Sequence, residues 1–293
     1  MSRLALSSSL HSLMDEIFNQ IKIAPTSKCL VHEGTVEKWV EDIASNIKRD
    51  KNLKNPIIVT EHKGHYVVLD GMHRFAAMTQ LGIPDILIYE VDYNSPKIML
   101  GGFDAFTFKK VNAEKLLAEL FPALEGYTIR KIANLAAAKE GVLEREYLLA
   151  MADKTESVWV LDKTAGKEDL DTICETVDRV DRVMSDRFPR AIYVNNETSL
   201  QDFEESTAAS LVLRPQFTKQ EVLGRTLNKK IFPPKSTRHL IPGRPLRVDV
   251  DLTLLSADLD LESKNKLLKK HLHWCFENNR VRYYPEPVYT FGD

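Results

Sequence analysis

The stretch His65-Tyr-Val-Val-Leu-Asp70-Gly71-Met72-His73-Arg74-Phe-Ala-Ala-Met-Thr-Gln-Leu-Gly82 decides how the chain is read. Tyr66 to Leu69 is short, apolar and rich in β-formers, the pattern of a buried strand. Asp70-Gly71 is turn chemistry, and Gly71 allows a positive φ or a close approach of backbone to ligand. From Met72 the spacing becomes helical and closes at Gly82. A helix start presents unpaired N–H groups and the positive end of the macrodipole, both favourable to an anion. A carboxylate, a glycine and two basic side chains at such a start suit a phosphate grip with room for a metal ion. The same residues also suit a plain strand–turn–helix with an Asp cap and surface basic groups.

Working outward, the flanking segments build one small α/β layer. Leu10 to Ile21 has helical spacing, and Ile21 to Val31 is strand-like but broken by Pro25. Gly34 to Arg49 is an amphipathic helix with Val36, Trp39, Val40, Ile43 and Ile47 on one face. Pro56 to Thr60 is a buried strand, His62 to Gly64 a hairpin turn, and Ile86 to Val91 a further strand. The order β-α-β-β-α-β predicts a compact α/β domain over residues 1–103, with Tyr93 to Phe103 as connector. Residues 104–293 are expected to form a second, mixed α/β domain. In it Val111 to Phe121, Thr128 to Lys139, Glu144 to Ala152, Leu170 to Met184, Lys219 to Thr226 and Ser263 to Asn278 read as helices. Val158 to Leu161, Arg190 to Val194, Ala209 to Leu213, the alternating Leu246 to Leu252 and Pro287 to Phe291 read as strands. Trp39, Trp159 and Trp274 read as core residues.

Composition limits the function. A chain of 293 residues with a net charge of −2 has room for two domains and lacks the basic excess usual for bulk DNA binding. Three scattered cysteines, Cys29, Cys174 and Cys275, fit no metal motif and suit a reducing compartment. No signal peptide and no apolar run of membrane-spanning length is present, so a cytoplasmic protein is expected, with no membrane partner. Walker-A, G-x-G-x-x-G, H-E-x-x-H and G-x-S-x-G motifs are absent from the sequence.

Three polar clusters remain for chemistry. Glu33, after His32 at a strand-to-helix junction, is either a surface carboxylate near a helix start or a general base at the lip of a pocket. Asp70, with His73 and Arg74, is either a cap or a ligand for Mg²⁺ and an orienter of a hydroxyl. Thr237-Arg238-His239 follows Pro233-Pro234 and is either an exposed loop or a grip for a small carboxylate or phosphate.

These residues carry a resemblance. His32-Glu33, Pro56-Ile57-Ile58-Val59, the turn Val68 to Arg74, Leu81-Gly82, Ser236-Thr237-Arg238-His239 and Gly243-Arg244-Pro245-Leu246 together resemble the free L-serine kinases of the ParB/sulfiredoxin-like superfamily. The likeness covers roughly residues 25–95 and 230–293. Sulfiredoxins carry a catalytic cysteine where Met72 stands, and a thioether cannot act as that nucleophile. ParB proteins place Glu-Arg-Arg after the glycine and add a DNA-binding domain.

The resemblance implies a ParB/sulfiredoxin-like N-terminal domain that binds ATP or ADP and transfers a phosphoryl group to the hydroxyl of free L-serine, giving O-phospho-L-serine. It implies Glu33 as base and Asp70 as second acid and Mg²⁺ ligand, with Gly71, Met72, His73 and Arg74 on the nucleotide phosphates. Thr237, Arg238 and His239 fall on the acceptor. Family members often carry a tryptophan after the last strand of the first domain, for which Phe103 stands here, and a serine late in the first helix, where Ser45 and Asn46 lie. These three are implied acceptor contacts. Two alternatives stay open: a nucleotide-binding ParB-like regulator or DNA-associated switch, and a kinase of another hydroxy amino acid or small metabolite.

Overall fold

The computed structural model describes residues 14–155, 157–163, 169–188 and 190–284. They form two compact units. One comprises Met1–Ile98, Thr226–Lys229 and Ile241–Asp293, and the other Met99–Arg225 and Lys230–Leu240. This division differs from a single cut at residue 103, because the tail from Ile241 clusters with the N-terminal residues.

The first unit begins with α1 (residues 14–20), which runs directly into β1 (Ile21–Pro25). A 3-10 turn, Thr26–Lys28, separates it from β2 (Cys29–Val31). Then come α2 (Glu37–Asp50), β3 (Asn52–Leu53), β4 (Ile57–His62), β5 (His65–Asp70), α3 (Met72–Gln80) and β6 (Asp85–Glu90). The sheet has the order β1-β6-β4-β5-β2 and is mixed: β4 runs parallel to β6 and β2 parallel to β5, while the other neighbours are antiparallel. Ile57, Val59, Val67, Val68, Ile86, Leu87 and Ile88 are fully buried, so consecutive residues are covered on both faces. On α2 the buried stripe is Val40, Ala44 and Ile47. Val36 and Trp39, expected on that stripe, are exposed instead, at 39% and 48%. Trp274 is exposed as well, so two of the three tryptophans expected in the core are surface residues.

The second unit contains β7 (Met99–Gly101), β8 (Phe103–Thr107), α4 (Ala113–Leu120), β9 (Tyr127–Ile132), α5 (Leu135–Leu143), β10 (Leu149–Asp153) and β11 (Val158–Lys163). It continues with α6 (Leu170–Arg187), β12 (Ile192–Asn195), α7 (Ser199–Glu205), β13 (Ser210–Leu213), α8 (Lys219–Leu227) and β14 (Arg238–Leu240). Six strands form an antiparallel sheet in the order β12-β8-β13-β10-β11-β9, and β14 pairs with β7. Phe106, Ala150, Ala152, Val160, Leu211 and Leu213 from this sheet share a core with Ala138 and Val142 of α5 and Phe203 of α7.

The tail returns to the first unit as β15 (Val250–Asp251), α9 (Leu252–Ser256) and α10 (Leu261–Glu277). β15 pairs with β3, and Asn265 of α10 exchanges hydrogen bonds with the Ile23 backbone at 2.8 and 2.9 Å. Buried Lys264 pairs with Asp85 at 2.6 Å.

Several expectations are corrected. Thr128 to Lys139 is not one helix: β9 ends at Ile132, and Asn134 caps α5 by accepting the Ala137 N–H at 2.7 Å. The Glu144 to Ala152 helix gives way to β10, a central strand between β11 and β13, where tertiary pairing overrides the helix propensity of Leu, Ala and Met. The connector ends in β7, with β8 starting at Phe103. The alternating strand over 246–252 shrinks to Val250–Asp251, because Arg247 and Asp249 both take positive φ, which breaks the pleat. Pro287 to Phe291, as well as Leu10 and Leu13, lie outside the described residues.

Candidate active site

Strand pairing places the two candidate acids. β2 and β5 are parallel, with Cys29 opposite Tyr66, Leu30 opposite Val67 and Val31 opposite Val68. The ladder ends at Val31 and Val68; Glu33 follows β2 by two residues and Asp70 ends β5, so both acids come at the carboxyl ends of adjacent strands, where α/β sheets hold their ligands. α2 and α3 start just beyond them, so two helix N-termini open on the same edge.

His32 anchors this edge from below. It is fully buried, and its Nδ1–H donates to the Val68 carbonyl at 2.6 Å. Burial pushes its pKa down, against the opposing pull of Glu33, the Val68 bond and Asp70. The imidazole is therefore neutral and structural. Glu33 itself is only 6% exposed.

Gly71 is the N-cap of α3, with φ +93°. A Cβ there would lie 2.7 and 2.9 Å from Arg74 Nη2 and Nε and 2.9 Å from Ile57 Cγ2, so the position demands glycine twice over. The space it leaves is taken by the Arg74 guanidinium, which pairs with Asp70 Oδ2 at 3.1 Å. Arg74 Nε is buried and has no hydrogen-bond partner among the described residues. A buried N–H donor without an acceptor is costly, and an anion at the start of α3 would satisfy it.

His73 is held at the helix start by a backbone contact. Its Nε2 accepts the Val36 N–H at 3.1 Å, so this nitrogen carries a lone pair. The ring also stands 5.4 Å from that of Trp39. His73 thus ties the start of α3 to the start of α2. Ser45 and Asn46 are exposed in the second half of α2, roughly 12 Å along the axis from its start. They do not gather with Glu33 and Asp70 at the helix starts.

The remaining residues belong to the second unit. Phe103 opens β8, with Lys235 Nζ 5.5 Å from its ring. Thr237 is buried, and Arg238 and His239 lie on β14, opposite Gly101 and Leu100 of β7. The pleat sets Arg238 and His239 on opposite faces of the strand, so the triplet is not one continuous grip. Arg238 Nη1 stands 3.7 Å from Glu197 Oε2.

Among the described residues no group of three His, Cys, Asp or Glu side chains converges as a metal cage. Mg²⁺ commonly needs only one or two carboxylates, with phosphate and water filling its other positions. Asp70 offers one carboxylate, 42% exposed, for such use, while its Oδ2 is already held by arginine. Cysteine chemistry does not fit, since burial pushes the Cys29 and Cys174 thiols up to about 12.

With this geometry established, comparison with known proteins is informative. No protein-family profile matches the chain. It is 26% identical over 234 residues to an ATP-dependent L-serine kinase of Staphylothermus marinus, covering 78% of this chain and 88% of that one. It is 22% identical over 229 residues to an ADP-dependent L-serine kinase of Thermococcus kodakarensis, covering 75% and 87%. A solved free serine kinase in complex with AMP superposes with a TM-score of 0.64 at 19% identity, over 80% of this chain and 93% of that one. The chain has the free serine kinase fold.

Two sets of residues near these clusters were missed as candidates. Arg244 reaches Asp70 Oδ2 at 3.5 Å, and the sequence presents it only as part of a matched turn. Asn196 and Glu197 pack beside Gly101, and no local motif marks them.

Proposed function

We propose that the protein is a small-molecule kinase that transfers a phosphoryl group from ATP or ADP to the hydroxyl of free L-serine, giving O-phospho-L-serine. The observation that carries this is a pair of acids, Glu33 just after β2 and Asp70 at the end of β5, beside a helix start whose Arg74 holds a buried N–H without an acceptor among the described residues. Relatives named L-serine kinases, similar over most of their length, supply the acceptor.

In this reading the first N–H groups of α3, after Gly71 and including Met72, take the donor phosphates together with Arg74. His73 keeps the start of α2 in place through Val36. Glu33, nearly enclosed, accepts the serine hydroxyl proton as the new P–O bond forms and the bond to the departing nucleotide breaks. Asp70 orients that hydroxyl and would hold Mg²⁺ together with the nucleotide phosphates. The ion would neutralise charge on the transferring group. Thr237, Arg238 and His239 serve the serine carboxylate or the transferred phosphate, and Phe103 offers an apolar contact. The cytoplasm suits a protein with three free cysteines, two of them buried. Among the described residues no helix is long and apolar enough to cross a membrane.

Incubation with ATP or ADP, Mg²⁺ and a panel of hydroxy amino acids, read by phosphorus NMR, tests the proposal. Phosphoserine is the expected product. Phosphorylation of another acceptor alone would move the specificity, and no product with any acceptor would overturn the kinase reading.

A further inference from the structure

The second unit carries a polar cluster that the reaction as stated does not use. Asn196 is 3% exposed and is locked reciprocally on Gly102: its N–H donates to the Gly102 carbonyl, and its Oδ1 accepts the Gly102 N–H, both at 3.3 Å. That fixes the amide, so Nδ2 is the remaining donor, and Nδ2 is buried with no partner among the described residues. Ser236, 4% exposed, has an equally unpartnered Oγ, and its carbonyl lies 3.5 Å from where a Gly102 Cβ would stand.

The turn that presents Asn196 is braced from behind. Lys139 Nζ donates to the Asn196 carbonyl at 2.8 Å while paired with Asp104, which is fully buried. Ser199 Oγ donates to the same Asp104 carboxylate at 2.6 Å. A buried ion pair is costly, and a role in holding a turn rigid accounts for its retention. Next on this turn is Glu197, with Oε1 3.5 Å from the position of a Gly101 Cβ and Oε2 3.7 Å from Arg238 Nη1. Gly101 and Gly102 are buried and have no side chains, which lets the Asn196–Glu197 turn pack close to their backbone.

We infer that Asn196 and Glu197 form, with Arg238, the subsite that reads the α-amino and α-carboxylate groups of the acceptor. An α-amino acid carries its ammonium and carboxylate on one carbon, so their protein partners must be an anion and a cation set side by side. Glu197 and Arg238 are such a pair. Glu197 takes the ammonium, Arg238 takes the carboxylate, and Asn196 Nδ2 supplies the neutral donor that fixes its orientation. This rests on the serine kinase reading and adds the residues that select an amino acid over other alcohols.

The test is Glu197→Gln in the full-length protein. The side chain is 58% exposed, so the variant keeps its fold, and an unchanged melting temperature checks this. Steady-state rates are measured with L-serine and with glycerate, which carries a hydroxyl where serine has its ammonium. The serine KM should rise on the order of tenfold or more, the scale of a lost charge-assisted bond, while the nucleotide and glycerate KM values stay within about twofold. A serine KM within about twofold of wild type, or an equal rise for serine and glycerate, overturns the subsite while leaving the kinase reading intact. Absence of phosphoserine from the wild-type protein overturns the kinase reading and this inference with it.

Discussion

Arg244 Nη1 stands 3.5 Å from Asp70 Oδ2, the same carboxylate oxygen that Arg74 Nη2 reaches at 3.1 Å. Two guanidinium groups therefore converge on one acid at the carboxyl end of β5, one from α3 and one from the returning tail. Both pairs are partly exposed, so their worth to stability is small, under about 1 kcal/mol each. Their worth to a polyphosphate is larger, because two fixed positive charges meet an anion with several. Arg244→Ala is expected to leave the melting curve nearly unchanged and to raise the nucleotide KM on the order of tenfold. Initial rates across a nucleotide series, with a parallel melt, check both parts.

Gly71→Ala should be much more damaging than its chemistry suggests. The added methyl meets Arg74 and Ile57 inside 3 Å, at φ +93°. A loss of about 1–3 kcal/mol in stability is expected, together with weaker nucleotide binding because Arg74 must move. Gly82→Ala is the control. Its φ is +67°, but nothing lies within 4 Å of the new Cβ, so only the backbone cost of about 1 kcal/mol remains. Denaturant melts of the two variants separate strain from collision.

His32 predicts a pH dependence of stability. Burial holds its pKa below the ordinary 6.5, so the folded state binds fewer protons there than the unfolded chain. Stability is full above pH 6.5 and falls as the pH drops through 6.5 toward the lowered folded value, with a slope of at most about 1.4 kcal/mol per pH unit from this group. His32→Asn, whose amide can still donate to the Val68 carbonyl, should flatten that part of the curve. Melts between pH 5 and 7.5 for both proteins measure the difference.

Arg238 and His239 occupy opposite faces of β14, so their substitutions should separate. Arg238→Ala is expected to raise the serine KM on the order of tenfold or more without a matching change for nucleotide. An unchanged serine dependence would remove it from the acceptor site.

Much of the first unit was legible because its signals are local. The strand–turn–helix at Asp70 to Arg74, the glycine at a positive φ and the amphipathic α2 each follow from neighbouring residues. Trp39 was misplaced because periodicity gives a face but not its width: Val40 is covered while Trp39 beside it is 48% exposed, against His73. β10 was misread because Leu-Leu-Ala-Met-Ala favours a helix locally, while its place between β11 and β13 is decided by distant pairing. Arg244, Asn196 and Glu197 escaped for the same reason: what marks them is a partner far along the chain. Residue type and resemblance single out Glu33 and Asp70, and the pairing of β2 with β5 adds that both come at the ends of adjacent strands.

The most direct test is the initial rate of O-phospho-L-serine formation by wild-type protein and by Glu33→Gln, with nucleotide Kd measured on both. The account predicts phosphoserine from the wild type, a loss of roughly two or more orders of magnitude in turnover for Glu33→Gln, and a nucleotide Kd little changed. Near-normal turnover in Glu33→Gln, or no phosphoserine from the wild type with either ATP or ADP, would contradict it.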